Sequence, residues 1–317
     1  MQHWGRTSTG KTRWFCRFCA KSSVLKRPDT AERWQLKLFR SWLIGTDSLS
    51  SISWRKSCTI QTLKNWFARF WGHLPEPTIP QSLSGTYLVV DAVYLEGHNE
   101  CVLIGRTGGG NVFWMFSRQE TFLAWHAFMN KIPKPRALVC DGQSGLFSAG
   151  KALWADVPVQ RCLAHIQRLG IQKLTLRPRT MAGMELLRLV YRLHEVKTQP
   201  EKAEWHRDFA AWDSRWERFL RERTYGTHPT GRQSWWYTHR RIRAMRNTLK
   251  QSLDNLFVHL DYPGVPSTTN LVEGGINSRL KELLHRHRGM CLEHRKVAVA
   301  HFLQSKNAPR KPTRNFN

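Results

Sequence analysis

The 317-residue chain carries 50 Lys and Arg against 23 Asp and Glu, a formal net charge of +27 before any of its 14 His takes a proton. That balance suits a polyanionic partner. With no polybasic block beside a lipid-binding amphipathic helix, it favours nucleic acid over a membrane surface. A 41% apolar content with 15 Trp and 15 Phe excludes wholesale disorder, and no apolar run approaches the roughly 18 residues of a membrane span.

The start, Met1-Gln2-His3-Trp4-Gly5-Arg6, lacks the apolar stretch of a signal peptide, so an intracellular, soluble protein is expected. At roughly 150 residues per domain the length predicts about two domains. Seven mostly scattered cysteines argue against a disulfide framework.

In chain order, apolar residues first recur at helical spacing, as Trp34, Leu38, Phe39, Trp42 and Leu43 and then as Ile60, Leu63, Phe67 and Phe70. Between them, residues 45–52 read as a turn and a short helix. Helix, short helix, turn and a helix from Thr59 is the outline of a helix-turn-helix over 28–74. Its last helix would turn Gln61, Thr62, Lys64, Asn65 and Arg69 toward a major groove; plain helical packing gives the same outline. Three prolines in Pro75-Glu76-Pro77-Thr78-Ile79-Pro80 then forbid a continuing helix and predict a linker.

Strand patterns follow at Tyr87–Leu95, Cys101–Gly105 and Asn111–Phe116, close enough together for an antiparallel meander. A helix over Glu120–Ile132, a buried strand Ala137–Cys140 ending on Asp141, and a helix from Gly145 to Trp154 come next. Three antiparallel strands followed by alternating β and α predict an α/β fold, the start of a ribonuclease-H-like sheet. From about 177 to 260 the pattern stays helical and rich in Arg and Trp, an all-α insertion. A helix is predicted from Thr268 to Leu284, and the tail over 306–317 is predicted to be disordered.

Asp91 interrupts the apolar run Leu88-Val89-Val90-Asp91-Ala92-Val93, where an ionised carboxylate is costly unless a partner or metal neutralises it. Asp141 repeats the situation at the end of Ala137-Leu138-Val139-Cys140. One such Asp fits a turn or a cap; two, each closing a buried strand of one sheet, fit a ligand edge for a hard ion such as Mg²⁺. Glu273 is the third candidate. It fits a helix first turn, with Thr269 and Asn270 as caps, and Asn270, Glu273 and Asn277 at i, i+3 and i+7 share a helix face.

Together, Val90-Asp91-Ala92, Cys140-Asp141-Gly142, Arg161-Cys162-Leu163-Ala164-His165 and Thr269-Asn270-Leu271-Val272-Glu273-Gly274-Gly275-Ile276-Asn277-Ser278-Arg279-Leu280-Lys281 resemble the bacterial insertion-sequence transposases of the Mutator-like superfamily. The resemblance runs from residue 1 to about 305. It implies a ribonuclease-H-like core over 81–305 with a helical insertion ahead of the last acid. It also implies a DDE triad, Asp91, Asp141 and Glu273, binding two Mg²⁺ or Mn²⁺ ions, with Cys162 and His165 as the family's Cys-x-x-His element and Asn270 and Asn277 in support.

The implied activity is metal-dependent DNA strand cleavage and strand transfer at the element's terminal repeats. The implied state is a homodimer or higher oligomer on DNA, in a prokaryotic cytoplasm at the nucleoid. A decayed or domesticated DNA-binding relative is the alternative.

The first 27 residues resemble half of the family's zinc ribbon, keeping Cys16 and Cys19 as an incomplete Zn²⁺ site, so either the chain is shortened or the ribbon has decayed. His3 is a candidate third ligand. The sequence after His165, Ile166-Gln167-Arg168-Leu169-Gly170, departs from the family's more basic continuation. In the insertion, Trp235 and Trp236 stand with Arg240, Arg241 and Arg243 as a surface for unpaired bases and phosphates, while Trp205, Trp212 and Trp216 fit helix packing. Arg279, Lys281, Arg286 and Arg288 extend the Glu273 segment as phosphate contacts.

Overall fold

The computed structural model describes residues 1–24, 28–95, 99–227 and 233–307; Arg232, another arginine of the insertion expected to accompany its tryptophans, and the tail beyond 307 lie outside them. The chain is a mixed α/β protein, and among the described residues no helix is long and apolar enough to cross a membrane. Two compact units form, one from 1–75 with 289–302 and the other from 76–288 with the rest.

The first unit begins with an antiparallel three-stranded sheet, β1 (Gln2–Arg6), β2 (Thr12–Cys16) and β3 (Lys21–Val24). Cys16 and Cys19 are free thiols at its edge, and the Cys19 backbone N–H, with the Cys19 side chain adding, holds the Cys16 thiol below its ordinary value. Among the described residues no group of three ligand-type side chains includes them. His3 sits opposite Trp14 and packs against its ring edge-on.

Helices α1 (Pro28–Leu43), α2 (Leu49–Lys56) and α3 (Ile60–Ala68) follow. Ser48 caps α2 through Ser51 N–H at 3.0 Å, and Thr59 caps α3 through Thr62 N–H at 3.1 Å, each satisfying a donor the helix leaves open. Ser57, in the left-handed region at φ 48°, ends α2. Phe39 lies at the centre of this unit's core, against Phe67, Phe70, Trp71 and His301. His301 belongs to the last helix, α13 (Leu292–Asn307), numbered by its place in the chain.

The second unit is built on a five-stranded sheet, ordered β6-β5-β4-β7-β8, from β4 (Leu83–Tyr94), β5 (Cys101–Thr107), β6 (Val112–Ser117), β7 (Pro135–Cys140) and β8 (Val159–Arg161). β4, β5 and β6 are antiparallel neighbours, and β7 and β8 run parallel beside β4. β8 is a strand the sequence pattern does not announce: three residues are too few for a period, and pairing with β7 alone makes it one. Leu88, Val90, Leu103, Phe113 and Leu138 of the sheet pack with Trp125 and Phe128 of α4 (Phe122–Met129) and Leu146 of α5 (Ser144–Leu153).

A separate helical core follows from α6 (Leu163–Leu174), α7 (Met181–Arg192), α8 (Gln199–Arg221) and α9 (Arg240–Ser252). Trp205 and Trp212 are buried in it, and their indole N–H groups donate to Leu189 O at 2.9 Å and Ala182 O at 3.1 Å. This region is not all helical, as the sequence pattern predicts. β9 (Arg223–Thr227) and β10 (Gln233–Tyr237) form an antiparallel hairpin between α8 and α9. Thr224, Tyr225, Trp235, Trp236 and Tyr237 are residue types that pack better on a pleated surface. The hairpin is followed, beyond α9, by the one-turn helix α10 (Val258–Asp261).

The segment predicted as one helix over Thr268–Leu284 is three pieces: α11 (Asn270–Val272), a π-helical turn over Glu273–Asn277, and α12 (Ser278–Arg286). Gly274 and Gly275 lower the helical propensity there. A π-helical turn inside a helix is rare and frequently sits at a functional site.

The buried ring of His301 has no partner for either nitrogen among the described residues. Burial first, then Arg40 and His73, push its pKa down to about 4. The unfolded chain therefore binds a proton that the folded unit refuses as pH falls from about 6.5 toward 4, so stability drops across that window by up to roughly 3 kcal/mol. His301→Leu is expected to shrink the difference in urea stability between pH 7 and pH 4.5; an unchanged difference would place the titration elsewhere.

Candidate active site

β4 and β7 run parallel with Leu88 opposite Leu138 and Val89 opposite Val139, and continuing that register by two residues sets Asp91 level with Asp141. The two acids do not both close strands, as the sequence suggests. β7 ends at Cys140, whereas β4 continues to Tyr94 because β5 pairs with it through Asp91 and Ile104 to Cys101. Gly142 follows Asp141 at φ +87°, where a Cβ would collide with Arg161 Nε. Only glycine allows the chain to turn this closely beneath that guanidinium. Arg161 is tied to Ser252 Oγ at 2.5 Å, and Asp141 Oδ1 accepts from Gln143 N–H at 2.9 Å.

Asp91 is mostly buried. Its Oδ2 accepts from Asn277 Nδ2 at 2.7 Å and its Oδ1 from Ala92 N–H at 2.9 Å. Burial pushes its carboxyl up to about 7, with the negative charges of Asp141 and Glu273 adding to the shift. The strand register sets Asp141 level with Asp91, and the bond from Asn277 brings the π-helical turn that carries Glu273 to it.

Glu273 is engaged on its other side. Arg168 forms a two-pronged ion pair with it, His165 Nε2 lies 3.0 Å from its Oε1, and Thr269 Oγ1 lies 3.3 Å away. Burial raises the Glu273 pKa, but the bond from Arg168 and the nearby His165 outweigh it and leave the carboxyl below its ordinary value.

Cys162 and His165 join this group through α6. Thr269 donates to Cys162 Sγ from its backbone at 3.3 Å and from its hydroxyl at 3.2 Å. A hydroxyl has one proton, so Thr269 serves either the sulfur or Glu273 at a given moment. This use of the side chain replaces the helix cap expected of it; α11 has no side-chain cap bond. Although burial raises the Cys162 thiol, interactions with His165 and Thr269 bring it below its ordinary value. The Cys162 sulfur, followed by the charges of Glu273 and Asp141, raises His165. His165 Nδ1 is buried with no bond of normal geometry, so its interaction with the sulfur is electrostatic.

Asn277 thus reaches Asp91, whereas Asn270 is exposed and stays outside the cluster. Arg168 and Thr269 are members that the sequence offered in other terms, Thr269 as a helix cap and Arg168 only within the stretch after His165. Arg168 stands three residues after His165 on α6, a spacing that puts both on one face.

Asp91 and Asp141 fit a hard divalent ion. They offer carboxylate oxygens at one level of adjacent strands, and a buried carboxyl raised by like charges is what a cation stabilises. Among the described residues no three ligand-type side chains stand together as a metal group. The physical reason lies in Glu273, whose carboxylate is turned to Arg168 and His165 instead.

In the first unit, Gln61, Lys64 and Asn65 on α3 and Arg69 just after it are exposed, with Thr62 half-buried against Thr59. Lys281, Arg286 and Arg288 are exposed on and just after α12, as is Arg279. Trp235 and Trp236 are neighbours on β10 and not on a helix, so they face opposite sides of the hairpin. Trp235 pairs across with the exposed Tyr225, and the Arg223 guanidinium lies 4.0 Å from its ring centroid; Arg243 lies 3.5 Å from that of Tyr237. Trp236 instead covers Gly226.

No family model matches the chain, and no curated protein matches it.

A carboxyl raised to about 7 keeps a proton that the unfolded chain releases near pH 4. Stability therefore falls as pH rises between those values, by up to roughly 4 kcal/mol. Asp91→Asn preserves the shape and one acceptor while removing the charge. In metal-free buffer the variant is expected to resist urea better than the wild type at pH 8 and equally at pH 4; a variant weaker at pH 8 contradicts this electrostatic account.

Proposed function

We propose that the protein is a DNA transposase on a ribonuclease-H-like core with a helical insertion, performing metal-dependent strand cleavage and strand transfer. What supports the reading most is the meeting of Asp91, Asp141 and Glu273, three acids far apart in sequence, in one electrostatic neighbourhood. Asp91 and Asp141 would hold Mg²⁺ or Mn²⁺, with Glu273 completing the set once Arg168 gives it up. Bound there, such ions would activate the attacking hydroxyl and stabilise the leaving oxygen. Asn277 orients Asp91, Thr269 and His165 position Glu273, and Cys162 anchors Thr269.

Other parts of the chain suit DNA. Helices α1–α3 read as a helix-turn-helix with α3 as the reading helix, and the first 24 residues as a ribbon remnant. The hairpin face carrying Arg223, Tyr225, Trp235 and Tyr237 offers aromatic rings and cations to an unpaired base. Pairing of copies on DNA completes the proposal. A decayed, DNA-binding relative is the second reading, favoured by the engagement of Glu273 with Arg168.

Alanine at Asp91, Asp141 or Glu273 is expected to abolish Mg²⁺- or Mn²⁺-dependent strand transfer while leaving DNA binding within about twofold, since Lys and Arg carry the binding. A wild-type protein that binds its element's ends without cleaving them under either ion sustains the second reading instead.

Stacking on one aromatic is worth about 1–3 kcal/mol, and about 1.4 kcal/mol is tenfold. Trp235→Ala is therefore expected to slow cleavage about tenfold on intact ends and much less on ends frayed by a mismatch. Trp236→Ala, on the other face, should be milder. Equal slowing on both substrates would assign Trp235 to packing.

A further inference from the structure

Beside the carboxylates, a second feature of the same helical segment has no part in the chemistry above. A cavity of about 830 Å³ lies between the β5–β6 turn, the π-helical turn with α12, and the end of α13. Its lining includes Arg106, Arg279 and Lys306, with Asn111 and the turn Gly108-Gly109-Gly110, and holds no carboxylate among the described residues. Arg106 is fixed by donating to Leu271 O at 2.7 Å, and Gly275 admits it, since a Cβ there would stand 3.0 Å from Arg106 Nη1. Asn307 closes the other wall with a two-bond clamp on Val112, accepting from its N–H at 2.6 Å and donating to its carbonyl at 2.8 Å.

The cavity is therefore preorganised, cationic and larger than a single ion requires. Guanidinium forks match phosphate oxygens, and a turn of glycines lets a ligand approach the backbone without side-chain obstruction. The residues that line it alternate along the helical segment with those that reach the acids. Glu273 meets Arg168 and Asn277 meets Asp91, while Gly275 and Arg279 face the cavity.

We infer that this cavity is a phosphodiester-binding site that grips duplex DNA beside the acidic cluster. The inference rests on the nucleic-acid reading of the protein.

Binding of the full chain to a fluorescent duplex, titrated over salt without divalent ions, tests it independently of catalysis. Losing one phosphate contact lowers the salt slope by about 0.9, which amounts to about eightfold in affinity at 0.1 M salt relative to 1 M. Arg279→Ala is expected to show that loss, and Gly109→Asp at least as much. Gly109 can accept a side chain, its Cβ position meeting only Thr107 Oγ1 at 3.8 Å. Gly109→Asn, alike in size but uncharged, should stay within about twofold of the wild type, and all three variants should melt with it.

Unchanged affinity and slope in both Arg279→Ala and Gly109→Asp overturn the proposal. So does pyrophosphate binding that Arg279→Ala abolishes while duplex binding is untouched, which makes the cavity a small-anion site. A wild type with no measurable duplex binding at low salt fails the nucleic-acid reading itself, whereas duplex binding without strand transfer leaves this inference standing.

Discussion

Burying Asp91 within reach of two other acids is the constraint on which the second unit turns. A carboxylate in such a place must keep its proton, find a cation, or be relieved of its neighbours' charge. The structure relieves it in part. Arg168 and His165 take up the charge of Glu273, Asn277 donates to Asp91, and Asp91 itself holds its proton to about pH 7. Parallel pairing of β4 with β7 makes the problem, since it sets the two aspartates level; the π-helical turn manages it by bringing Glu273 and Asn277 to different partners of the same cluster.

The cluster is held from outside the sheet. α6 contributes Cys162, His165 and Arg168 within its first two turns, and the helical core beneath it is closed by large aromatics such as Trp205 and Trp212. That core leaves Trp235 and Tyr225 exposed on a hairpin with arginines stacked against its rings. The division of labour among tryptophans is physical. Trp205 and Trp212, whose indole N–H groups find helix carbonyls, are buried, whereas Trp235, beside the Arg223 guanidinium, stays at the surface.

Arg168 deserves comparison with a metal ion. With His165 it places positive charge against Glu273, and its guanidinium makes a planar, two-pronged contact where a divalent ion would take direct oxygen coordination. The same side chain thus offsets part of the charge that Glu273 adds to the cluster. Arg106 has the corresponding place on the other side of the helical segment, tied to Leu271 O and lining the cationic cavity.

Much was legible in the residues alone. Apolar alternation and runs located β4, β5, β6 and β7, helical periodicity located α1 and α3, and an acid inside an apolar strand marked Asp91, because local patterns record which side of an element avoids water. The partners were not legible. Arg168 meets Glu273 across 105 positions and Asn277 meets Asp91 across 186; β8 exists only by pairing, and the β9–β10 hairpin was masked by flanking helices.

Glu273 itself was legible as a polar residue on a helix but not as an acid already neutralised. The residue types, their local periods and the charge of +27 belong to the sequence by itself. Which acids share a field, which cation answers each, and which glycines stand against an arginine were decided by tertiary structure alone, since those energies arise between groups that only the folded chain brings within a few ångströms.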